Sequence, residues 1–179
     1  LAAVAWLCFG NLRTHLLDTH DADSFADHLQ IAEDWTFFFS DEKAQASGRP
    51  IAEATKFLFF LLFGNNPAAF HLLSIAVHTL AAFLLARIVW RQTDQIVLAA
   101  LTGLLFLTNV THFQAVHHIS ALDYPLALSC GLAALLALGR GATPQRPIAF
   151  AVWLCCGTLA HPSIAPVWLL ALYLIWRRS

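Results

Sequence analysis

The sequence contains no methionine and little charge. Only 12% of its 179 residues are Asp, Glu, Lys or Arg, whereas 59% are hydrophobic. Soluble domains average roughly 45–50% apolar and about 25% charged residues. This chain has too few polar side chains to cover a core of that size, which argues against a water-soluble domain. The missing Met, with Leu1 at the start and "IWRRS" at the end, reads as a piece of a longer chain. Cysteine is scarce as well. Cys8, Cys130, Cys155 and Cys156 lie in apolar segments without CxxC spacing, which excludes a cysteine-based zinc framework. Such thiols behave as small apolar side chains. The first ten residues lack a basic leading region and a small-residue cleavage site, so they read as the end of a first span rather than a signal peptide.

What the chain does have is apolar runs, consistent with a mean hydropathy of +0.65. They predict an all-α fold, a polytopic transmembrane helical bundle with a long first outer loop and an interfacial helix. The expected organisation is a single membrane domain. Residues 1–10 end the first span, and 11–50 form an acidic outer loop. Pro50 suits a helix start and Gly64 a helix end, so 50–63 reads as a helix too short to span, lying in the interface. Asn66 and Pro67 read as cap and first turn of a long helix over 66–90. Further spans are expected over 95–109, 119–139, 148–160 and 162–176, punctuated by Pro144, Pro147 and Pro162.

Charge orients these spans. Arg87 and Arg91, Arg140 and Arg146, and Arg177 and Arg178 fall at alternate connections, so they share a side if each span crosses once. By the positive-inside rule that side is cytoplasmic. Nine of the eleven acids, Asp18 through Glu53, then belong to the opposite side. Eight of the nine histidines join them, and His78 lies two turns below His71 on the same helical face.

The acidic stretch "LLDTHDADSFADH", residues 16–28, is the densest polar feature. It reads as a catalytic loop, a metal site or a solvated connector. Asp21 with Asp23, or His20 with Asp21, supplies competent ligands for a divalent cation, although the spacing is no zinc signature. Asp27 and His28 read as loop solvation. Arg49, Glu53 and Lys56 share one face of the interfacial helix, where an internal ion-pair network is the plain account. His71 and His78 fit helix packing equally well, yet ionisable groups at membrane depth mark sites more often than elsewhere. His117 and His118 suit capping at a helix start. Asp123, read as a turn inside its span, needs a partner or a site.

The order of these features resembles a known family. An acidic loop leads to "GRP", then "LFGNNPAAFHLLSIAVHTLAAFLLAR", then "HFQAVHHIS" ahead of a further span. This is similar to the membrane glycosyltransferases of the GT-C type, the polyprenyl-phosphate-sugar-dependent enzymes related to protein O-mannosyltransferases. The resemblance covers about residues 11 to 176 and rests on order and spacing. It implies a catalytic base at Asp18 or Asp21, with Asp23 as a third candidate. It matches Arg49 to an Arg-Pro position, His71 and His78 to two helix histidines, and His112 to the histidine of the second outer loop. Gln114 and the His161-Pro162 pair depart from the family pattern, which often has Glu and Lys-Glu there.

Inverting glycosyl transfer needs a base for the acceptor hydroxyl and positive charge for the departing lipid phosphate. Arg49, Lys56 and His112 are the expected phosphate-binding groups, since Arg pairs with phosphate oxygens through two parallel bonds. His71, His78, His117, Asp123 and His161 complete the candidate set. The implied partners are a polyprenyl-phosphate-linked sugar, a protein or glycan acceptor and the lipid bilayer, with no nucleic acid. The implied location is the inner membrane of a bacterium or the endoplasmic reticulum of a eukaryote. Two rivals stand beside it: a transporter with a pathway lined by His71, His78, His112 and Asp123, and a non-catalytic scaffold of the same fold.

Overall fold

The computed structural model describes residues 1–11, 19–40, 48–109, 116–139 and 146–178. Within these residues the chain is all-helical, with eight α-helices. They are α1 (Ala2–Phe9), α2 (Thr19–Glu33), α3 (Pro50–Phe63), α4 (Pro67–Thr93), α5 (Ile96–Thr108), α6 (Asp123–Leu138), α7 (Pro147–Ala160) and α8 (Ala165–Arg178). Short 3-10 turns over Trp35–Phe39, Ile119–Leu122 and Pro162–Ile164 link them.

Local chemistry sets most helix ends. Pro50, Pro67 and Pro147 each occupy the first turn, where the missing N–H costs nothing. The Asn66 side chain accepts a hydrogen bond from the Ala68 N–H at 3.1 Å, which caps α4. Gly64 (φ 59°) and Gly139 (φ 77°) stop α3 and α6 in a backbone region that side chains rarely adopt.

Residues 11–50, expected as a loop, contain the 15-residue helix α2. Its inward stripe is Asp21, Phe25, His28 and Ile31, all buried and spaced three or four residues apart. That is the period of a helix seated on a core. The stripe is half polar, so it does not read as apolar periodicity. Asp123, expected a turn inside a span over 119–139, lies four residues into the helical stretch Ile119–Leu138, where the 3-10 turn gives way to α6; Pro125 is tolerated there in the first turn of α6.

At 27 residues α4 is about 40 Å long. It packs mainly on α5 and α6, and α6 packs most extensively on α7. Small residues allow these approaches. A Cβ on Gly103 would sit 3.2 Å from the Ala82 carbonyl of α4. One on Gly157 would overlap Ile164 Cδ1 and stand 3.2 Å from the Ala127 carbonyl of α6. Gly157→Ala is therefore expected to destabilise the fold by about 1–3 kcal/mol through overpacking. Thermal unfolding of the purified chain in detergent measures this, and an unchanged midpoint would contradict the α6–α7 contact.

The core divides into three clusters. Ala5, Phe9, Ile75, Ala82 and Leu107 join α1, α4 and α5; Phe25, Phe70 and Ile119 join α2 to α4; Ala134, Leu154 and Ile164 join α6 and α7. The outside is also apolar. Ile96, Val97, Leu101 and Leu105 of α5 are exposed, as are Leu169, Leu172 and Trp176 of α8. Among the described residues two helical stretches, Pro67–Thr93 and Ile119–Leu138, are long and apolar enough to cross a membrane.

Candidate functional site

The ends of the helices gather charge. The start of α4, the start of α6 and the end of α7 meet at one end of the bundle, and α3 lies across it. Phe57 and Phe60 of α3 face the His28 ring of α2, Phe59 faces Phe70 of α4, and Arg49 reaches Asp123 of α6.

Besides Glu53 of α3, two acids at this end are buried. Asp21 is 2% exposed, and its side chain accepts the Ser120 N–H at 2.8 Å, tying α2 to the turn before α6. Asp123 is 1% exposed and forms an ion pair with Arg49, whose side chain keeps 34% of its surface exposed. The Asp123 carboxylate also accepts the Tyr124 N–H at 3.0 Å. A carboxylate this deep requires such a partner, since an isolated buried charge is very costly. The guanidinium carbon of Arg49 lies 6.0 Å from the centre of the Tyr124 ring. The other face of the cluster is His161, whose ring centre is 4.1 Å from that of Tyr124.

His161 ends α7, and its Nδ1 accepts the Ser163 N–H at 3.0 Å. Burial pushes its pKa below the usual 6.5; the Asp123 carboxylate raises it, and the Arg49 guanidinium lowers it further. The folded chain therefore resists protonating a ring that the unfolded chain protonates more readily. The stability this gives is fully present above pH 6.5 and is lost as pH falls below it. We expect the unfolding midpoint of the wild-type chain to drop between pH 7.5 and 5.5, and the drop to shrink in His161→Gln. Equal slopes would contradict the assignment.

The remaining candidates distribute as follows. Asp18 and His112 lie outside the described residues. Asp23 is on the exposed side of α2, because residues two apart on a helix point nearly opposite ways. Asp21 and Asp23 thus diverge, which corrects their reading as joint metal ligands. Among the described residues no three His, Cys, Asp or Glu side chains are placed to hold a metal ion. His28, expected in solvent, is 1% exposed and boxed by Phe25, Phe57, Phe60 and Phe70. Lys56 is buried and pairs with Glu53 at 2.5 Å, so α3 carries the internal ion pair its spacing suggests.

His71 is buried with its ring 6.4 Å from that of His117, which touches His118 in turn. His118 occupies the cap position of the Ile119–Leu122 turn without a side-chain cap bond. His78 is buried farther along α4 between the Phe9 and Phe106 rings, away from the Arg49–Asp123 pair. Sequence reasoning missed Tyr124 and Ser120. Tyr124 follows an acid at a helix start, a local signal worth weighing; Ser120 acts through its backbone, which no side-chain pattern reports.

Chemically, this end offers a sequestered carboxylate, a partly exposed guanidinium held in place by a second carboxylate, and an imidazole biased toward its neutral form. No family model matches this chain, and neither a curated protein nor a solved structure matches it.

Proposed function

We propose that the chain is the membrane part of a GT-C-like glycosyltransferase that moves a sugar from a polyprenyl-phosphate donor to an acceptor on the periplasmic or luminal face. The observation that carries this reading is the pairing of a buried acid with a partly exposed arginine at one end of an apolar bundle. Asp21 and the Arg49–Asp123 pair flank the same turn, Ile119–Leu122. The apolar exteriors of α5 and α8 support a multi-pass membrane setting, where lipid covers surface that water would not.

In this reading Asp21 takes the proton of the acceptor hydroxyl. The acceptor oxygen then bonds to the anomeric carbon as the bond from that carbon to the phosphate oxygen breaks. The polyprenyl phosphate departs with the electron pair, and Arg49 balances its charge. Asp123 is the positioning residue that aims Arg49. Asp18, which precedes Thr19 in the sequence, is the alternative base. The family resemblance supports a base at Asp21 or Asp18 and the placement of Arg49 at the Arg-Pro position.

A transporter is the second reading, favoured by the buried His71 and His78 on one face of α4. One assay separates the two. Vesicles containing the chain are given radiolabelled polyprenyl-phosphate hexose and followed for label and for internal pH. Label leaving the lipid for the acceptor supports transfer. A substrate-driven pH change with the lipid-linked label intact overturns it in favour of transport.

A further inference from the structure

At the opposite end of the bundle, the ends of α4 and α6 and the start of α7 border an open cavity of about 790 Å³. Three arginines line it. Arg87 and Arg91 stand one turn apart on α4, and Arg146 caps the start of α7. Among the described residues the only carboxylate in that lining is Asp94, so their charged groups sum to three positive less one negative, +2. The walls are fixed by hydrogen bonds to backbone carbonyls. The Arg146 N–H donates to the Ala137 carbonyl at 3.2 Å, and Arg91 Nη1 donates to the Leu136 carbonyl at 2.7 Å. Arg91 thus braces α4 against α6, while Arg87 and Arg146 are the exposed cations. Trp90 and Trp153 line the same cavity, with the Arg87 guanidinium 4.9 Å over the Trp90 ring.

We propose that this cavity binds the phosphate of an anionic phospholipid. Arginine suits phosphate because its planar donors match two phosphate oxygens. Trp rings sit at headgroup depth, with an apolar body toward the chains and an N–H toward water. The α4 carbonyl end and Asp94 oppose an anion, and three guanidiniums outweigh them. The lipid source rests on the membrane reading above; the residues are distinct from those of the transfer site, so either proposal can fail alone.

The test titrates the purified chain in detergent with phosphatidylglycerol, read by native mass spectrometry, with phosphatidylcholine as control and excess inorganic phosphate as competitor. We expect phosphatidylglycerol to be retained over phosphatidylcholine and to resist displacement by inorganic phosphate. R87Q/R146Q should weaken it by about 5-fold per arginine, about 25-fold in all. R87K/R146K, which keeps both charges but loses the paired planar donors, should bind with an affinity between those of the wild type and R87Q/R146Q, and that binding shows that the cavity still forms. Equal retention of the two lipids, unchanged affinity in R87Q/R146Q, or displacement by inorganic phosphate would overturn the proposal, the last by assigning the cavity to free phosphate.

Discussion

Asp21→Asn is expected to lower the rate of sugar transfer by about 10³-fold, the middle of the range for losing a general base. The substitution is chosen to keep the fold. Asn has the same shape, and its side-chain oxygen still accepts the Ser120 N–H that holds α2 to the turn before α6. What disappears is the charge that takes the acceptor proton. The loss should therefore fall on kcat and leave KM nearly unchanged, the signature of an interaction made only in the transition state. Initial rates in vesicles measure it, with the thermal midpoint as the check on folding. Wild-type rates in a folded Asp21→Asn chain would remove Asp21 as the base and move the role to Asp18.

The second large effect concerns stability and activity together. Arg49→Leu leaves the Asp123 carboxylate buried without its cation. Breaking a buried pair costs about 3–5 kcal/mol, and the partial exposure of Arg49 argues for the lower end, about 3 kcal/mol. The double variant Arg49→Leu with Asp123→Leu removes the stranded charge and should recover most of that stability. It should not recover transfer, because the departing phosphate has still lost its counter-charge. Unfolding midpoints and transfer rates of the three proteins test both statements. If the double variant regains activity, the role of Arg49 is structural only.

These two predictions rest on features of different legibility. Helix starts at Pro50, Pro67 and Pro147, and the Asn66 cap, are read from two adjacent residues because capping is local chemistry. The helix over Thr19–Glu33 was hidden. Its inward stripe alternates Asp21 and His28 with Phe25 and Ile31, so polar residues stand where periodicity expects apolar ones. The aromatic box that covers His28 comes from α3 and α4, which a local window cannot contain. Asp123 was legible as an acid needing a partner, but that partner lies 74 residues away. The packing of α3 on α7, beside the start of α6, brings Arg49 to it. The basic end was legible as a side of the bundle from the spacing of Arg87, Arg91 and Arg146, and its cavity was not, since that depends on how closely α4, α6 and α7 approach.

The most direct measurement of the central claim is a single turnover. Radiolabelled polyprenyl-phosphate hexose is bound to excess wild-type or Asp21→Asn chain in vesicles, acceptor is added, and the bond between sugar and lipid phosphate is followed. Both proteins are expected to retain the donor, and only the wild type to break that bond on the first turnover. A donor that stays intact on the wild type, or is cleaved equally fast by both, would contradict the account.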